Sequence, residues 1–205
     1  MDIFAGGIVG VSQVLIGHPL DTIKVLIQNK KNWKNLKIKQ FYRGATYPFI
    51  SSFLFNATIF PIYNRCYKYT KCHYVSGFIG GFIISPMVHV FDIAKIKRQT
   101  NQLIHFRTRG LFMSCIRESL AVSIYFGSYE KYKHYGPLIS GGLAGVFSWV
   151  FTYPIDTIRS RQISQNIKLT KVSRSGLWKG LTPCLLRACV VNSVSFYIYE
   201  KIKYL

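Results

Sequence analysis

The chain has 205 residues, with 27 Lys+Arg against 7 Asp+Glu for a net charge of +20, a mean hydropathy of +0.18, and five cysteines. The cysteines, Cys66, Cys72, Cys115, Cys184 and Cys189, are odd in number and form no C-x-x-C pair, which excludes a disulfide framework, and packing accounts for them better than a metal does. The basic balance invites a nucleic-acid reading, but the placement of the bases along the chain argues against it.

In chain order, six largely apolar stretches lie at 3–28, 48–70, 75–98, 112–134, 138–160 and 182–204. Each has the roughly 20 residues that an α-helix needs to cross a bilayer core of about 30 Å. None shows the broad polar face of a soluble bundle. The reading is an all-α membrane protein with six transmembrane helices. The first stretch starts at Ile3 with no basic segment before it, so no cleavable signal is expected and targeting information is internal.

The bases alternate with these stretches. The connections 29–47, 95–111 and 159–180 hold 6, 5 and 6 of them, while those on the other side hold 7 in all: Arg65, Lys68, Lys71, Lys131, Lys133, Lys201 and Lys203. This is the positive-inside pattern, and it places both termini on the outer side. The basic loops suit anionic lipid head groups.

The stretches fall into three units, 1–72, 73–135 and 136–205, that share landmarks in one order. Gly6-Gly7, Gly77 and Gly141-Gly142 open the units, with Pro19, Val90 and Pro154 thirteen positions beyond the first glycine. Next come Asp21-Thr22-Ile23-Lys24, Asp92-Ile93-Ala94-Lys95 and Asp156-Thr157-Ile158-Arg159. The triplets Tyr42-Arg43-Gly44, Thr108-Arg109-Gly110 and Trp178-Lys179-Gly180 follow, and then apolar runs to Tyr63, Tyr129 and Tyr199. Five of the seven acids recur at matching places. The five histidines are dispersed, and neither a nucleophile–base pattern nor a phosphate-cradling glycine loop is present, so neither an enzyme nor a cofactor is expected.

His18-Pro19-Leu20-Asp21-Thr22-Ile23-Lys24 and Tyr153-Pro154-Ile155-Asp156-Thr157-Ile158-Arg159, with the basic-glycine triplets downstream, resemble the mitochondrial carrier family over nearly the whole chain. The resemblance implies a monomeric, threefold pseudosymmetric barrel in the mitochondrial inner membrane, with short surface helices in the matrix loops and both termini in the intermembrane space. It implies alternating access around one central site, with Arg43, Gly44, Arg109, Gly110, Lys179 and Gly180 meeting lipid, cardiolipin above all. It also implies a matrix gate of three ion pairs, Asp21–Lys95, Asp92–Arg159 and Asp156–Lys24, with Gln28 and Gln99 at bracing positions and Ile163 at the third. At the cytoplasmic gate Glu130 is expected to pair with Lys203. There Asn64 and Tyr67 replace the first acid and base, leaving Lys133 and Glu200 without their expected partners. The units are short for the family, Val90 replaces the second proline with Pro86 one turn earlier, and Thr108 replaces an aromatic residue.

Counting back thirteen from Asn64, Glu130 and Glu200 reaches Ser51, Arg117 and Arg187, where the family contacts substrate. Arg117 and Glu118 are helix neighbours that do not face each other, so the pair is expected to offer a cation and an anion to different partners. Arg117 and Arg187 are assigned to a substrate carboxylate, and Glu118 to its ammonium or to proton coupling. Ser51, Asn56, Asn192, Ser193 and Trp149 are further lining candidates. The motif context resembles the carnitine and basic-amino-acid branch, which points to a small zwitterionic or cationic metabolite. An S-adenosylmethionine or nucleotide carrier, and a non-transporting membrane protein of the same fold, remain open at this stage.

Overall fold

The computed structural model describes residues 16–32, 37–103, 105 and 108–188, all of them helix, turn or loop. The helices are α1 over 16–28, α2 at Ile38–Phe41, α3 at Thr46–Thr70, α4 at His73–Gln99, α5 at Leu111–Tyr132, α6 at Pro137–Gln165 and α7 over 181–188. Short 3₁₀ turns lie at Lys133–Tyr135 and Leu169–Lys171. At 1.5 Å per residue, α3 to α6 are each about 33 Å or longer. Among the described residues, His73–Gln99 is the one helix both long and apolar enough to cross a membrane by composition. The others carry more charge and polarity, much of which is turned inward.

Local chemistry sets the boundaries. Helices α1 and α4 stop in the same way: Lys30 and Asn101 take left-handed backbone (φ 56° and 57°), and the amides of Lys31 and Gln102 close back on the carbonyls of Leu26 and Lys97. Asn166 ends α6 with φ 53°. The triplet glycines Gly44, Gly110 and Gly180 have φ of 83°, 93° and 92° and lie one or two residues before α3, α5 and α7. A side chain is strained at such φ, which explains why all three units place glycine there.

Helix α4 packs between α3 and α5, and α5 packs on α6. The α4–α5 approach is close because Gly77 and Gly81 lie against the α5 backbone; a Cβ on Gly81 would sit 2.5 Å from the Glu118 carbonyl oxygen. Ile59, Ile84, Val88 and Val122 form one apolar cluster beside these contacts. Val25, Ile93, Ile96 and Ile163 form a second where α1, α4 and α6 converge. Large apolar side chains such as Phe82, Phe112 and Phe151 lie exposed on the outer faces, while Lys24, Gln28, Asp156, Arg159 and Arg161 are buried. This inverts the pattern of a water-soluble bundle.

Candidate functional site

The C-terminal halves of α1, α4 and α6 carry the three Asp-x-x-base motifs and converge on one layer of charge. Lys95 donates to Asp21 at 2.8 Å, Lys24 lies 2.7 Å from Asp156, and Arg159 lies 2.8 Å from Asp92. These contacts run cyclically, from unit 1 to 2, 2 to 3 and 3 to 1. Gln28 donates to Asp156 at 3.0 Å and to Thr157 at 3.3 Å, while Gln99 donates to the Thr22 hydroxyl at 3.1 Å rather than to an ion pair. Ile163 contributes to the apolar cluster instead of bracing a pair.

The triplets dock in the same cyclic sense. Gly44 lies against Lys95 and Arg98, Gly110 against Ile163, and Gly180 against Lys24 and Ile27. Arg43 donates to Asn101 Oδ1 at 2.7 Å and Arg109 to the Asn166 carbonyl, each across to the next unit, while Tyr153 donates to the Lys179 carbonyl of its own unit at 3.3 Å. The hydroxyls after the first and third motif aspartates secure the loops of their own units, with Thr22 donating to Phe41 O and Thr157 to Leu177 O, both at 2.7 Å.

Beside the ion pairs lies a cavity of about 180 Å3 lined by nine charged side chains together with Ser51, Trp149 and Phe91. The three central candidates all reach it, but not as free groups. Arg117 Nη1 lies 2.5 Å from Glu118 Oε1, which corrects the expectation that these neighbours stay apart. Their Cβ directions do diverge by about 100°, yet the long guanidinium stem reaches round to the shorter acid. Glu118 also holds Arg159 at 3.2 Å, and Arg117 Nε lies 3.6 Å from Asp156. Arg187 Nε sits 2.9 Å from Asp21 Oδ1. The central charges and the ion-pair layer are therefore one network.

Trp149 is the hub of that network on α6. Lys24 Nζ stands 4.1 Å and the Arg117 guanidinium 4.9 Å from the centre of its ring, within cation–π range. Asn56 lies in α3 with its side chain outside the described set, and Asn192, Ser193, Glu200 and Lys203 also lie outside the described residues.

The profile of the family described as mitochondrial carrier protein matches residues 132–205. The whole chain aligns with curated carriers. Human solute carrier family 25 member 45 is 26% identical, with 96% of this chain and 95% of that protein covered. The glutamate/glycine mitochondrial carrier ymc1 of Schizosaccharomyces pombe is 25% identical, with 98% and 93% covered. Mitochondrial ornithine transporter 1 of Saccharomyces cerevisiae is 27% identical, with 98% and 94% covered. The chain is thus similar to mitochondrial carriers along nearly its whole length, and its C-terminal third matches the family's profile. These alignments run over 273 to 277 positions against a chain of 205, so the relatives carry additional residues between the matched segments.

At the end opposite the ion pairs, Lys133 pairs with Glu130 one turn back on its own helix, and both are partly or largely exposed. His73 Nε2 lies 4.0 Å from the same carboxylate, and its Nδ1 meets the Tyr63 hydroxyl at 2.6 Å. Tyr67 stacks on His73 with ring centres 4.3 Å apart, and Tyr63 stacks on Phe126 at 3.9 Å. Sequence reasoning missed this cluster, since nothing in the repeat marks His73. Arg161, which continues the third motif as Arg159-Ser160-Arg161, was given no role by the sequence; it is fully buried and donates to the carbonyls of Gln28, Ser173 and Ser175 at 2.6–2.8 Å, pinning the loop after α6 to the end of α1.

Proposed function

We propose that this chain transports a small carboxylate-bearing metabolite, amino-acid-like or carnitine-like, across the mitochondrial inner membrane by alternating access. The reading is of a monomer whose three units supply six spans in a threefold pseudosymmetric barrel, with both termini on the intermembrane-space side. The observation that carries it is the charged cavity closed at one end by three ion pairs that join the units in cyclic order. A charge held within a membrane span has a large desolvation cost, so a concentration of charges around a cavity is read as a solute path. The exposed apolar faces of the helices then meet lipid. In this reading the ion pairs are the matrix gate, Glu130 and Lys133 belong to the cytoplasmic side with Glu200 and Lys203, and Arg117 and Arg187 receive the substrate carboxylate. The names of the relatives, an ornithine transporter and a glutamate/glycine carrier, favour an amino-acid-like solute.

The triplets stand at the starts of α3, α5 and α7, where backbone amides and basic side chains together suit a lipid phosphate. We assign Arg43, Gly44, Arg109, Gly110, Lys179 and Gly180 to cardiolipin on that ground.

The test is uptake by proteoliposomes preloaded with basic, neutral and acidic amino acids, carnitine, S-adenosylmethionine or nucleotides. Saturable uptake of a carboxylate-bearing solute is expected, reduced at least about thirtyfold when Arg117 and Arg187 are both changed to Gln. Uptake at the wild-type rate by that variant would remove the site assignment, and a preference for nucleotides indifferent to both arginines would move the substrate elsewhere.

A further inference from the structure

The fixed charges of the cavity do not cancel. Once each of the three gate pairs is set against its own partner, the lining retains Arg117, Arg187 and Glu118, two cations and one carboxylate. The single carboxylate is the least available of the three. The Glu118 side chain is 3% exposed and is already held by Arg117 and Arg159, while that of Arg187 is 28% exposed. The unused hydrogen-bonding capacity at the centre is donor capacity: the Nε atoms of Arg117 and Arg187 lie 3.6 Å from Asp156 and 2.9 Å from Asp21, but no acceptor among the described residues meets them in hydrogen-bonding geometry. Of the acceptors on the lining without a hydrogen bond among the described residues, Asp92 Oδ2 is held by Arg159 at 2.8 Å and Gln28 Oε1 sits among the gate pairs.

We infer that the solute is recognised chiefly by its carboxylate and carries a net charge of zero or minus one, with Glu118 acting as a positioning residue, the internal counter-ion of Arg117 and Arg159, and not as the ligand of a substrate ammonium. This rests on the transport reading and sharpens its substrate class. A solute of net positive charge meets a site with one excess positive charge and no available acid at the centre. A carboxylate finds two guanidinium groups with donors to spare, in the geometry that arginine uses best.

The experiment compares uptake of labelled L-glutamate, L-alanine and L-lysine by wild type, Glu118→Gln and Glu118→Asp in proteoliposomes. In the wild type, lysine enters more slowly than the better of the other two by on the order of tenfold or more, the cost of opposing like charges. Glu118→Gln raises the central excess from one positive charge to two, so the acidic-to-basic uptake ratio rises by a further factor on the order of ten. Glu118→Asp keeps the wild-type ratio. A residue that only holds the fold lowers all three rates together and leaves the ratio where it was, which would remove the role given to Glu118. Where Glu118→Gln does not fold, the wild-type ratio decides. Preference for lysine in the wild type, or selective loss of lysine uptake in Glu118→Gln, overturns the inference alone. Silence towards all three amino acids and carnitine in folded wild-type protein contradicts the transport reading and removes the inference with it.

Discussion

The two ends of the helical assembly are built on different principles. Where α1, α4 and α6 converge, the motif charges have partners from a neighbouring unit, most are buried, and Asp156 alone meets Lys24, Gln28, Arg117 and Arg159. Around Tyr63, His73 and Glu130 the contacts are aromatic stacking and an ion pair within one helix, open to solvent at Lys133. The first end repeats in all three units and behaves as one interlocked piece, because removing any member leaves other buried charges unmatched. The second joins units 1 and 2 through partly exposed groups, and each of its contacts can be lost without stranding a buried charge.

The contrast is broken most forcefully by Asp156→Ala, which strands the buried Lys24, takes one counter-ion from Arg117 and Arg159, and is expected to cost about 3–5 kcal/mol, read as a lowered thermal midpoint in detergent. Arg161→Met tests the same end without touching an ion pair. Loss of its hydrogen bonds to carbonyls is expected to cost about 2–3 kcal/mol, with the loop after α6 becoming more susceptible to proteolysis. Gly110→Ala is smaller, about 1–2 kcal/mol, because it forces a side chain into left-handed backbone, and Gly44→Ala and Gly180→Ala should fall in the same range. At the opposite end, Lys133→Ala leaves the thermal midpoint unchanged within error. A loss there matching that of Asp156→Ala would erase the distinction between the two ends.

Much of the helical framework was legible in the sequence. The apolar stretches 48–70, 75–98 and 112–134 fall within two residues of α3, α4 and α5 at each boundary. The stretch 138–160 stops five residues short of the end of α6, and the reason is physical. Arg161, Gln162 and Ser164 are polar yet buried against protein, so hydropathy ends before the helix does. The three acid–base pairs were legible as contacts through the resemblance to the mitochondrial carrier family, whose pairing could be carried onto the registered motifs residue by residue. The Arg117–Glu118, Arg187–Asp21 and Glu118–Arg159 contacts were not legible, since they depend on how far a flexible side chain reaches round its helix and into the neighbouring layer. The contacts of His73 were not legible for another reason: its partners Tyr63 and Tyr67, one turn apart on α3, and Glu130 on α5 come from two separate helices, and no spacing rule ties either helix to His73. The left-handed glycines sit between these cases. Their recurrence could be read from the triplets, but the docking surfaces they fit could not.

The most direct test of the central claim is counter-exchange by the wild-type chain: proteoliposomes loaded with unlabelled amino acids and carnitine, with the appearance of labelled solute inside followed over time. The account predicts saturable uptake that internal solute accelerates, as a site exposed alternately to the two sides requires. Folded, correctly reconstituted protein that shows no uptake above empty liposomes with any of these solutes would contradict it.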